Sequence, residues 1–481
     1  MNQKTGYIPK ELRKNILMIV DDIRFTTGCG NMGRAIVLGS AHRFNWSIIG
    51  SGVNHPDAGK RLDMSEESNK LIGIDDSSII MYPFNGYGNI EFVRDVIKHE
   101  NIHAIFFITD PRYYEWLFKS EHELRQKVAL IYLQIWDDEP GPLYNKSAYR
   151  SCDALLCISR QTESLTKIVL GEYADEKYIR YIPHGVNQNH FYPINNDHPQ
   201  YAELQKFRKE ILKGKEYDFI LGFNSRNIRR KSIPDTLLAF KTFLDRLSPD
   251  QASRCAFVLH TQPVDDNGTD LYAVREMLFG DKQDQIIFSD LRAPTEYMNF
   301  LYNIFDVTVL LSSNEGFGLS ILESLMSGTP VIGNVTGGIQ DQARFEDDNG
   351  NWIEFDEKFS TNHLGRYKDC GEWFFPVFPS NVSLQGSPMT PYILDDRIDF
   401  REAADMIYEA YTSYEEALIG RGQAGRDWVM SGESMMSEDK MCQNVMGSIE
   451  DVLSEWQPRD RYHIRKIEPR PLKYLKHPIS Y

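Results

Sequence analysis

The 481 residues carry 53 Lys and Arg against 69 Asp and Glu, a formal net charge of -16, with 41% hydrophobic and 25% charged residues. A chain of this length outgrows a single hydrophobic core, so two domains are expected, and its acidity argues against a general nucleic-acid or anionic-membrane binder. No apolar run approaches the length of a membrane helix, so no integral membrane association is expected.

The N-terminal 14 residues are polar and lead straight into a strand-like run at 16–20 without a signal-type apolar core, which predicts a cytoplasmic protein. Strand-like runs then recur at 46–49, 104–109, 128–135, 154–158 and 178–182, with helical stretches between them. That alternation predicts a parallel sheet with covering helices. A polar break at 193–199 separates it from a second alternating series at 219–223, 256–260, 286–288, 307–311 and 330–333. The fold class is therefore α/β, with two Rossmann-like domains at 1–195 and 200–430.

From 345 to 400 the pattern dissolves into aromatic and proline-rich sequence with no regular structure to assign, an irregular insertion in the second domain. Helices are predicted at 400–414 and 415–430. Met441, Val445, Ile449 and Leu453 repeat every four residues, the stripe of a packed helix, so 431–481 is a C-terminal helix followed by a tail. Charge is uneven: net -3 over residues 1–200, -18 over 201–456 and +5 over 457–481.

Six cysteines without C-x-x-C spacing read as reduced structural thiols, and twelve unclustered histidines offer no metal-binding spacing. No metal or cofactor is called for. The chemistry gathers elsewhere. Residues 315–323 read E-G-F-G-L-S-I-L-E, directly after the strand-like 307–311. Glu315 and Glu323 thus flank a glycine turn (Gly316, Phe317, Gly318) where a helix begins at a strand's C-terminal end. Ligands bind there in open parallel sheets, and a carboxylate's paired oxygens suit the vicinal hydroxyls of a ribose or hexose. Arg226 and Lys231 follow the strand at 219–223, where fixed cations would stabilise a departing diphosphate. Near the start, Gly28, Gly30 and Gly33 form G-x-G-x-x-G after the first strand. No acidic residue follows at the spacing a dinucleotide site needs, so NAD is disfavoured. Gly28 and Gly30 read as a loop closing over the donor's phosphate, or over the acceptor, from the opposite domain.

With these motifs in place, residues 15–345 resemble the retaining glycosyltransferases of family 4, which have the two-domain GT-B fold. The segment 152–159 (C-D-A-L-L-C-I-S) resembles the family's A-D-x5-S, 181–187 (Y-I-P-H-G-V-N) its I-P-N-G-V-D turn, and Arg226 with Lys231 its G-R-x4-K. The resemblance implies domains facing a central cleft, with C-terminal helices packing back toward the first. It implies a nucleotide-sugar donor held by the second domain, through Arg226 and Lys231 on the diphosphate, Glu315 on the sugar, amides of 316–318, and Glu323 on the ribose. Arg226, Lys231 and Glu315 would form the catalytic set of a metal-independent hexosyl- or pentosyltransferase.

The family's first-domain histidine is replaced here by Q-I-W-D-D-E-P at 134–140, which makes Asp137 or Asp138 the substitutes. His184 stands where Asn is commoner and reads as structural, and Asp341 replaces a Glu in G-G-x-x-E. Asp110, Arg112, Tyr113, Tyr114 and Trp116, after a first-domain strand, are acceptor candidates that could equally pack as core. By family prevalence the acceptor is a glycan or lipid-linked glycan. A modified base of viral DNA is the alternative favoured by the basic tail, and the rivals are a GT-B epimerase or hydrolase and a non-catalytic sugar-nucleotide module.

Overall fold

A computed structural model describes residues 6–52, 54–137, 139–289, 295–356, 362–363 and 365–460. Asp138 and the basic tail beyond residue 460 lie outside them.

The first sheet has eight strands: β1 (Lys14–Asp21), β2 (Phe44–Ser51), β3 (Leu62–Asp63), β4 (Ile79–Pro83), β5 (Ala104–Ile108), β6 (Ala129–Gln134), β7 (Ala154–Cys157) and β8 (Tyr178–Tyr181). Their order is β3-β4-β2-β1-β5-β6-β7-β8, parallel except for the short edge strand β3. Within β1, Ile16 to Val20 form an uninterrupted apolar stretch because both faces of a helix-covered parallel sheet are buried. Strands β3 and β4 were not anticipated. Ile79–Pro83 is fully buried yet only five residues long and enclosed by polar segments, too short to show a period.

The second sheet contains β9 (Phe219–Asn224), β10 (Cys255–His260), β11 (Ile286–Ser289), β12 (Val307–Leu310), β13 (Val331–Asn334) and β14 (Phe374–Val377). It is parallel throughout, in the order β11-β10-β9-β12-β13-β14. The order reverses between β9 and β12, so the loops leaving their carboxyl ends diverge and open a crevice.

The region 345–400, expected to be irregular, contains β14 and an antiparallel hairpin, β15 (Asn381–Ser387) with β16 (Thr390–Arg397). Pro376 hid the first of these. Proline cannot donate to a ladder and is tolerated because β14 lies at the sheet edge.

The helices Phe400–Thr412 and Glu415–Met430 agree with the sequence reading. The last helix, Glu438–Glu455, returns to the first domain. Cys442 Sγ donates to Ala35 O at 3.4 Å, Tyr178 OH donates to Asp451 at 2.9 Å, and Val186 bridges to Ser437. Among the described residues no helix is long and apolar enough to cross a membrane.

Candidate active site at the switch point of the second sheet

Two loops face each other across the crevice. The loop after β9 makes a single tight turn, Arg229–Lys231, and the loop after β12 carries Ser312 to Glu315. Ser313 N donates to Arg230 O at 2.7 Å and so ties them together. Lys231 and Glu315 are both buried, and Lys231 Nζ donates to Glu315 Oε1. Arg230 Nη1 lies 3.0 Å from the same oxygen, and Ser312 Oγ donates to it at 2.9 Å. Among the described residues Glu315 Oε2 takes no partner. Burial alone would raise the Glu315 carboxyl, but Arg230 and Lys231 outweigh it and hold the group well below the usual carboxylate range. Lys231 is drawn below its ordinary value, first by burial and then by Arg230.

Glu323 lies on the helix Leu319–Met326, which starts at Gly318 with φ 89°. Its Oε2 accepts from the fully buried Tyr302 hydroxyl at 2.6 Å, and that hydroxyl accepts from Asn224 Nδ2 at 2.7 Å. Burial pushes the Glu323 carboxyl up to about 7, against the pull of the Tyr302 hydrogen bond. Oε1 is unpartnered among the described residues. Both glutamates therefore have one oxygen fastened and one open.

The first domain closes against this cluster. Asp137 Oδ2 stands 3.9 Å from Arg230 Nε, and burial raises its carboxyl. Gly316 lies so near that a Cβ there would meet Ile135 O at 2.8 Å. A Cβ on Gly28 would stand 3.8 Å from Leu319 Cδ1, which sets the first glycine loop opposite the helix start. Gly30 is buried in its own turn, its amide donating to the Thr27 hydroxyl at 3.0 Å.

Lys231 and Glu315 thus come together. Arg226 does not join them: its side chain is 63% exposed and pairs with Asp265 at 2.8 Å. Arg230, which sequence reasoning passed over, takes the place beside Glu315; only the turn at 229–231 decides which arginine of R-N-I-R-R-K points inward. Tyr302 was missed too, and sequence spacing carries no signal for it. Phe317 is buried against His184, ring centroids 5.3 Å apart; burial brings that imidazole down to about 4, in keeping with a structural role.

Of the acceptor candidates, Asp110 caps the turn Pro111–Tyr114 and pairs with Arg112 at 2.7 Å, while Tyr113, half exposed, stacks on Tyr87 at 4.6 Å. Tyr114 is core, its hydroxyl donating to Ile108 O, and Trp116 packs against Gly88. Among the described residues no group of three or more His, Cys, Asp or Glu could hold a metal ion.

Mannosylfructose-phosphate synthase of Agrobacterium fabrum (strain C58 / ATCC 33970) is 25% identical over 194 residues, 40% of this chain and 39% of that protein. The match thus spans well under half of that relative's length. Solved structures that share the fold include the following two. Sucrose-phosphate synthase from Thermosynechococcus elongatus superposes with a TM-score of 0.62 at 16% identity, covering 92% of this chain and 100% of that one. An Anabaena protein solved in complex with UDP and glucose gives 0.62 at 13% identity, covering 91% and 100%. The fold is the GT-B arrangement, and residues 205–361, which include both loops of the cluster, match the model of the glycosyl transferases group 1 domain.

Proposed function

We propose that the protein is a retaining, metal-independent glycosyltransferase that moves a sugar from a nucleotide-diphosphate sugar to an acceptor hydroxyl. The observation that carries this reading is the meeting of Lys231 and Arg230 on Glu315 across the crevice, with Glu323 on the helix that follows and one carboxylate oxygen of each glutamate open. In this reading Lys231 and Arg230 hold the diphosphate, where charge grows as the glycosidic bond breaks, and cations fixed in advance act most strongly on that transition state. Glu315 Oε2 takes a donor-sugar hydroxyl and Glu323 takes the ribose hydroxyls. The acceptor oxygen bonds to the anomeric carbon on the face from which the phosphate oxygen leaves, and its proton passes to that oxygen. Asp137, whose carboxylate stands 3.9 Å from Arg230, would meet the incoming hydroxyl.

For the acceptor, a glycan or lipid-linked glycan is the reading from family resemblance. A hexose phosphate is a second class, favoured by the names of the mannosylfructose-phosphate and sucrose-phosphate synthases that this chain resembles.

Nucleotide release from a panel of nucleotide sugars, beginning with UDP-glucose and GDP-mannose, tests the reading. Release that depends on an added acceptor, with the product's anomeric configuration matching the donor's by NMR, is the expected result. Sugar release or isomerisation without acceptor would make the protein a hydrolase or epimerase instead, and no turnover or nucleotide binding at all would leave only a non-catalytic module.

A pH dependence follows. Ribose hydroxyls donate best to an ionised carboxylate, so UDP or GDP affinity is expected to rise as pH climbs through about 7 and Glu323 loses its proton. Tyr302→Phe removes the one hydrogen bond that lowers this group, so the rise should move to higher pH, while Glu323→Gln should abolish it. Calorimetric titration across neutral pH checks all three; an unmoved profile in Tyr302→Phe would disprove the link.

A further inference from the structure

The hairpin of β15 and β16 lies beyond residues 205–361 and within the stretch whose sequence shows no regular pattern. It reaches the charged cluster nonetheless. Asp395, its side chain fully buried, accepts from Asn314 Nδ2 at 3.0 Å, pairs with Arg397 at 3.1 Å and accepts from Arg229 Nη1. Arg229 immediately precedes Arg230 and Lys231, and Asn314 immediately precedes Glu315. One carboxylate is therefore bonded to the neighbour of each half of the cluster.

The main chain repeats this connection. Asp396 N donates to Ser313 O at 2.8 Å, and Ser313 N donates to Arg230 O, so three loops form a short ladder. Asp396 is itself anchored: its carboxylate accepts from Thr336 Oγ1 at 2.7 Å and Asn362 Nδ2 at 2.8 Å, and its carbonyl accepts from Asn334 Nδ2 at 3.0 Å. The hairpin also touches the first domain. Leu394 N donates to Glu139 O at 2.8 Å, Tyr144 OH donates to Tyr392 O at 3.2 Å, and the two tyrosine rings meet edge to face at 4.9 Å.

We propose that Asp395 is the positioning residue of the donor cluster, fixing through Arg229 and Asn314 the two loops from which Lys231, Arg230 and Glu315 engage the nucleotide sugar. This rests on the donor reading given above. Loops at strand ends are the softest parts of such a sheet, and a misplacement of an ångström at reacting groups costs about a hundredfold in rate. Asp395 touches no donor atom in this reading. Its loss therefore disturbs alignment more than ground-state binding, and the effect belongs in kcat rather than KM.

The test uses the full chain and the donor that the panel selects. Asp395→Asn keeps the side chain's shape and removes its charge. It is expected to lower kcat for nucleotide release by about tenfold or more, with UDP or GDP affinity by calorimetry changed by less than about threefold and the melting temperature little moved. Combined with Arg229→Gln it should be no slower than the slower single variant, because both act through one link. Should Asp395→Asn fail to fold, Asn314→Ala leaves the carboxylate in place and is expected to lower kcat in the same selective way. Wild-type kcat in the folded variant, or an additive double variant, overturns the proposal. A wild-type chain that turns over no donor and binds neither UDP nor GDP overturns the donor reading and this proposal with it, whereas normal wild-type turnover beside an unaffected Asp395→Asn overturns this proposal alone.

Discussion

Lys231→Ala is expected to lower sugar transfer by about 10²- to 10³-fold, the scale on which one fixed charge stabilises a developing oxyanion. The fold should survive, because Glu315 keeps Arg230 at 3.0 Å and the Ser312 hydroxyl at 2.9 Å. Glu315→Ala should behave differently. It strands a buried lysine beside a second cation, and breaking a buried pair from one side costs about 3–5 kcal/mol. The pair of variants separates chemistry from stability: the lysine variant should melt near the wild type while losing turnover, and the glutamate variant should lose both. Steady-state nucleotide release and a thermal melt decide it. A folded Lys231→Ala at wild-type rate would remove the diphosphate role assigned to this side chain.

Gly316→Ala should be nearly as damaging for a different reason. Its new Cβ would stand 2.8 Å from Ile135 O and 3.2 Å from Ile158 Cδ1, both in the first domain. A backbone carbonyl at the end of a buried strand cannot give way as a flexible side chain would. Relief comes from parting the two domains, which carries Asp137 away from Arg230 and lets water into the crevice. The clash lies at the junction of the domains and leaves the strand pairing within each sheet intact, so the chain should still fold while turnover falls by about a hundredfold. Small-angle scattering should register a more open molecule, and wild-type turnover with unchanged scattering would contradict this account.

All three variants concern residues that the sequence made visible. Glu315, Glu323 and the glycines between them could be read because strand, turn and helix follow one another within a few residues, and local order determines which end of the sheet they occupy. Two parallel sheets were legible for the same reason: buried strands such as β1 are continuous apolar runs. What depends on distant contacts was not legible. Arg226 and Arg230 are equivalent as letters, and the turn that points one toward Glu315 and leaves the other with Asp265 is set by packing against 313–314. Tyr302 reaches Glu323 from a neighbouring helix, across 21 positions. The hairpin escaped notice because β15 is largely exposed, and an exposed strand carries no alternation of buried and exposed side chains to detect. Its role comes through Asp395, more than 80 residues from the loops it joins.

The return of the last helix to the first domain means that the polypeptide passes between the two lobes twice, once between β8 and the helix Tyr201–Ile211 and again between Met430 and Glu438. The Val186–Ser437 bridge fastens these passages side by side. Two joined tethers limit how far one lobe can turn against the other more than a single tether would. Both passages therefore bear on the register in which Asp137 meets Arg230 and Gly316 meets Ile135. Cutting the chain after Ser431 would leave that register to the first passage alone.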